Sequence, residues 1–175
     1  MGFNNVSKTT LTAYDDSCEL LAQIFQLVPR TLIPGHEILD ALVDADQLCH
    51  SDDLAGACFV LQAQISKSLT ILSELIKTCL TDLKARSGEL PEAELQELIE
   101  VEWQSVCIKE YIRTGEYFSA FRLFETANFK TIYLERSLKA TAQQKQYAVH
   151  KRRNLEIARL KVRELNKHSR SRCRH

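Results

Sequence analysis

Residues 130–167 read KTIYLERSLKATAQQKQYAVHKRRNLEIARLKVRELNK. Leu155, Ala158, Val162 and Leu165 recur three and four residues apart, the spacing that brings side chains onto one seam of an α-helix. At 100° per residue Lys145, Arg152, Arg159, Arg163 and Arg170 fall within about 40° of one another on a second face. Lys145 to Arg163 covers roughly 27 Å of helix axis. Glu156 is the one acid among them, and Lys151, Arg153 and Lys161 project to the sides. This stretch predicts a long final helix with a cationic line along it.

The rest of the chain repeats the helical period, and no strand-like alternation competes with it. The expected fold is all-α, with two helical halves of about three helices each. A first helix is predicted over 10–28, with Leu20, Leu21, Ile24, Leu27 and Val28 on one face and Pro29 stopping it. Pro34 opens a second that runs to about Cys49. Ser51-Asp52-Asp53 caps a third that runs to about Arg86, before Gly88. Pro91, with Glu92 and Glu94, starts a fourth that passes through Trp103 to Gly115, followed by a short one over 116–127. The break at Ser87–Pro91 suggests an acidic N-terminal half over 1–88, a basic half over 89–167 and a flexible basic tail over 168–175.

Charge sharpens that division. The 175 residues carry no net charge, yet residues 1–100 hold 6 Lys and Arg against 16 Asp and Glu, while 101–175 hold 17 against 7. From Lys130 onward 14 basic residues face 3 acidic ones, more than solubility requires of a solvated face. A regular polyanion suits such a line, because each phosphate needs a donor and releases counterions when bound, and the planar guanidinium grips phosphate well. His150–Arg153 (HKRR) also fits a nuclear localisation signal. Apolar residues at 45% and charged residues at 26% indicate a folded, soluble chain. With 5 Gly and 3 Pro it is poor in the turns an all-β fold needs.

Other chemistry finds little support. The six cysteines, Cys18, Cys49, Cys58, Cys79, Cys107 and Cys173, form no Cys-x-x-Cys pair. The N-terminus lacks an apolar signal stretch, so reduced thiols inside a cell are expected. Met1-Gly2 with Val at position 6 fails the myristoylation pattern, and no run approaches 18 apolar residues. Cys49-His50 are chain neighbours, which does not set a base against a thiol, and metal-ligand spacing and Gly-rich phosphate loops are absent. The expectation is a protein with no catalytic residues, metal or cofactor. Nine of the 13 aromatic residues lie in 103–147. Tyr117, Phe118, Phe121 and Phe124 read as core, while Tyr133 and Tyr147 are better placed for base stacking. GEYFSAFRLFE (115–125) matches the core of a tetratricopeptide helix, and SDDLAGACFVLQ (51–62) echoes it about 63 residues away rather than 34. The echo makes a helical protein–protein adaptor the alternative function. A membrane-surface role for the basic helix is weakened by its lack of a bulky apolar face opposite the charges.

Several segments in order, TLIPGHEIL and DADQLCHSDDL (31–54), SGELPEAE (87–94), GEYFSAFRLFETAN (115–128), YLERSLKA (133–140) and KRRNLEIARLKVRELN (151–166), resemble the RNA silencing suppressors of closteroviruses such as beet yellows virus and citrus tristeza virus. The resemblance covers most of the chain from residue 31, through order and character rather than an invariant motif. It implies an all-helical, ring-like homo-oligomer that sequesters short duplex RNAs (siRNA and microRNA duplexes) without sequence preference, in the cytoplasm of an infected host cell. Carried onto this chain, it places the RNA surface on the final helix. The basic residues there are Lys130, Arg136, Lys139, Lys145, Lys151, Arg152, Arg153, Arg159, Lys161 and Arg163. The acidic half would serve assembly, and no membrane is involved.

Overall fold

The computed structural model describes the backbone of residues 3–172 and the side chains of 8–29 and 31–164. The fold is all-α. Among the described residues five α-helices follow one another: α1 (Phe3–Phe25), α2 (Gly35–His50), α3 (Leu54–Ala85), α4 (Glu92–Thr114) and α5 (Tyr117–Arg172). Single turns of 3-10 helix stand at Val28–Arg30 and Ser87–Glu89. α1 ends at Phe25, because Pro29 has no N–H to donate to the Phe25 carbonyl, and the chain tightens into 3-10 geometry, the Leu27 N–H reaching the Ile24 carbonyl at 3.0 Å. α3 takes Asp53 as its cap, whose carboxylate accepts from the Gly56 N–H at 2.9 Å.

Six helices were expected and five form, because the segments at 116–127 and 130 onward are one helix. Nothing between them ends it. Asn128 costs a helix only a fraction of a kcal/mol, and the Thr131 hydroxyl donates to its carbonyl at 2.8 Å. Buried Phe124, Ala127, Thr131, Leu134 and Leu138 follow one another at three- and four-residue steps straight through the junction. The backbone of 168–172 continues the same helix, while Cys173 and the last two residues of the expected tail lie outside the described residues.

α3 is the central strut. Leu61, Ile65, Leu69, Leu72, Ile76 and Leu83 are all buried in it, and α1 and α2 pack against it as do α4 and α5. One cluster of buried side chains therefore runs from Leu20 to Leu138. α3 is long and apolar enough to cross a membrane by length and composition alone, and its buried face, from Ala57 to Leu83, is part of the core of this bundle. The aromatic segment behaves as core: Phe121 and Phe124 are buried with ring centroids 6.4 Å apart, and Tyr117 and Phe118 are partly buried against the same cluster.

α4 and α5 form an antiparallel hairpin about Gly115. Its backbone is left-handed at φ 78° and its N–H bonds the Ile112 carbonyl, while the Glu116 N–H reaches the Tyr111 carbonyl at 2.8 Å. The hairpin explains where α5 leaves the bundle. Counting outward from Gly115, the first residue of α4, Glu92, is level with about residue 138, and Leu138 is the last fully packed apolar residue of α5. Beyond it α5 has no partner of matching length. Every residue from Gln143 to Glu164 is exposed, so the helix leaves the body as a bare arm of roughly 33 Å.

Candidate nucleic-acid interface

The arm inherits its chemistry from where the hairpin ends. Over 143–164 it carries Lys145, Lys151, Arg152, Arg153, Arg159, Lys161 and Arg163 against Glu156 and Glu164. None of these seven cations forms an ion pair among the described residues. At the base of the arm, Lys145 lies near Glu89, whose carboxyl is held below the usual range first by the hydrogen bond from Arg86 and to a smaller degree by Lys145. Residues 143–175 hold 11 basic against 2 acidic side chains, and residues 1–142 hold 12 against 21. The charge division therefore follows the junction between body and arm more closely than the loop at Ser87–Pro91.

Seven of the ten basic residues expected at an RNA surface stand on this arm, and three do not. Lys130 is turned into the α4–α5 hairpin, where its ammonium lies 2.9 Å from Glu97 and 2.5 Å from Glu100. Burial alone would lower its pKa, and the hydrogen bonds to Glu100 and Glu97 more than offset this and raise it. A cation neutralised twice and only 19% exposed has nothing left for a phosphate. Lys130 is a hairpin clamp and leaves the candidate set. Arg136 and Lys139 are exposed on the packed part of α5, and helical phase turns them roughly 135–165° from the Lys145–Arg152–Arg159–Arg163 line. A ligand lying along that line does not reach them.

Of the two tyrosines suited to stacking, Tyr133 donates to Glu94 at 3.3 Å, and the Glu94 charge foremost raises its pKa. Tyr147 stands on the arm, 70% exposed. His150–Arg153 is exposed on the arm as well. The arm is not purely polar. Leu155 and Val162 are about half exposed on the seam, with Ile157 and Leu160 on other sides.

Other sites resolve differently. His50 Nδ1 sits 2.8 Å from the Asp46 carbonyl and 3.6 Å from its carboxylate, an arrangement within α2. The five described cysteines are free thiols, and burial foremost raises the pKa of Cys18, Cys58 and Cys79. Among the described residues no group of three or more His, Cys, Asp and Glu side chains gathers as a metal site. The tetratricopeptide-like segments fall at the starts of α3 and α5, helices of 32 and 56 residues. A whole two-helix repeat of that kind spans about 34.

The sequence did not reveal the outer face of α4, where Ile99, Trp103 and Val106 stand in solvent. Their i, i+4, i+7 spacing reads as core until the buried Leu98, Val101, Ser105 and Ile108 claim the opposite face. The Lys130 clamp was available as a signal: about a turn at Gly115, position 130 is level with position 100. Compared with protein-family models, curated proteins and solved structures, the chain matches none.

Proposed function

We propose that this chain binds short double-stranded RNA through its C-terminal arm and sequesters it without reading sequence, acting as a viral suppressor of RNA silencing. The observation that carries the reading is the arm: seven cations without ion pairs among the described residues, on a helix exposed on every side for about 33 Å, joined to a body of opposite charge. Contacts along one helix face to a phosphate backbone position a duplex and carry no base information. The groove of A-form RNA is read mainly by shape and by phosphate and 2′-hydroxyl contacts, which matches a surface with many donors and one free aromatic ring. The acidic body repels phosphates and so steers a duplex to the arm. Duplex RNA and the silencing role rest on the family resemblance, as do self-association into a ring-like oligomer and a place in the host cytoplasm. Nuclear entry through His150–Arg153 is compatible with that role.

The test is fluorescence anisotropy with a short RNA duplex, the matching DNA duplex and single-stranded RNA over a salt series. The expected result is preference for the RNA duplex, with a log–log salt slope of about −3 to −4 if four phosphates are neutralised. Replacing Arg152, Arg159 and Arg163 together by Ala should weaken every duplex alike and leave helicity unchanged. Equal affinity for all three nucleic acids leaves only a general polyanion binder. No binding near physiological salt removes the RNA reading and favours the adaptor, for which Ile99, Trp103 and Val106 on α4 offer a docking face.

A further inference from the structure

The arm has a second face. Leu155, Ala158 and Val162 line a seam about a quarter turn from the Lys145–Arg152–Arg159–Arg163 line, with Arg159 on one flank and Lys161 on the other. Leu155 is 53% and Val162 55% exposed. Apolar side chains set between cations on a bare helix are a packing surface with no partner among the described residues, because α5 runs out of the body and none of those residues folds back on it. Two arms are poorly suited to cover each other, since the residues flanking both seams are cationic and like charges across a helix pair repel.

A surface of opposite character exists on the body. Between α2 and α3 lies an open groove of about 440 Å³ with Ala41, Val60 and Ala63 along it. Phe59 stands at its side, 75% exposed. Asp40 and Asp44 form the α2 rim and carry no ion pair or side-chain hydrogen bond among the described residues. Glu37, farther along, is already held by Lys67 across the groove. The groove spans about eight residues of each helix, roughly 12 Å, and the seam from Leu155 to Val162 is of similar length.

We infer that the α2–α3 groove of one protomer receives the Leu155–Val162 seam of the arm of a second copy. The apolar seam covers Phe59, Val60 and Ala63, and Arg159 and Lys161 of the arm meet Asp40 and Asp44. The contact is head-to-tail, and each chain offers one groove and one arm, so successive copies add in one sense and either close into a ring or extend. Arg152 and Arg163 stand about a quarter turn from the seam and stay open to phosphates in the assembled form, while Arg159 turns to the groove rim. The inference rests on the self-association put forward above and adds which two surfaces meet.

Light scattering coupled to size exclusion on the full chain, with a concentration series, tests it. Asp40→Lys with Asp44→Lys, Arg159→Glu with Lys161→Glu, and Leu155→Asp with Val162→Asp should each weaken association by at least about tenfold and shift the mass toward monomer. All six positions are exposed or on the arm, and circular dichroism should show helicity like the wild type. Mixing the two charge-reversed variants in equal amounts should restore assembly, because each arm then finds a groove of opposite sign. Failure of the mixture to assemble overturns the pairing. A wild type that assembles while all three variants keep its mass overturns the docking surface and leaves self-association standing. A wild type that stays monomeric at tens of micromolar overturns both. RNA affinity, measured separately by anisotropy, survives either failure.

Discussion

Gly115 holds the angle on which the arm depends. A Cβ there would meet nothing within 4 Å, so substitution acts through the backbone alone. With φ at 78°, Gly115→Ala should cost about 1 kcal/mol in urea denaturation. Phe124, buried where α5 enters the bundle, has no such freedom: Phe124→Ala should cost about 3–5 kcal/mol by the same measurement. Tyr14 gives a pH signature. Burial foremost, then its hydrogen bond with Cys18, pushes its pKa from the ordinary 10 up to about 12. The folded chain thus holds this proton more tightly than the unfolded chain does. Its contribution is fully present below about pH 10 and is lost as pH rises toward 12. Thermal melts across that range should show Tyr14→Phe losing less stability than the wild type.

At the scale of the helix, α5 is two materials in one rod. Up to Leu138 it is held by buried side chains on α3 and α4, and beyond that only its own backbone bonds and charges hold it. A chain ending at Ala142 should therefore keep its body and its cooperative unfolding, lose far-ultraviolet helicity in proportion to the missing turns, and fail to bind duplex RNA in the anisotropy assay. Retained binding would move the interface to the body. The all-helical class, the caps near Pro34 and Pro91 and the core role of Phe121 and Phe124 were legible in the sequence, because period and capping are local. The joining of two predicted helices at Asn128 was not, since a weak helix former resembles a stop until the buried steps on both sides of it are in phase. The fate of Lys130 was legible only through the turn at Gly115, which sets it level with a carboxylate 30 residues away. Charge counts place cations along a chain without showing which of them a carboxylate has already taken.

For the molecule as a whole, charge separation links its two proposed attachments. Residues 1–142 carry an excess of nine acidic side chains and residues 143–175 an excess of nine basic ones. Salt should weaken both duplex binding and self-association, and raising it from about 0.1 M to 1 M shortens the screening length from about 10 Å to 3 Å. Sedimentation and anisotropy over the same series should fall together, with the apolar seam leaving a residual salt-insensitive association. The described part of α5 passes from Tyr117 to Arg172 without glycine or proline, so it has no hinge between bundle and tip. Such a rod fixes angular phase as well as reach. One residue inserted in 143–146 would swing the distal cations and seam by about 100°, whereas seven would bring them back to within about 20° and only lengthen the rod by roughly 10 Å. Function lost with one inserted residue and regained with seven would show that the arm acts as a stiff gear with a set orientation, and indifference to both would show that it acts as a tether.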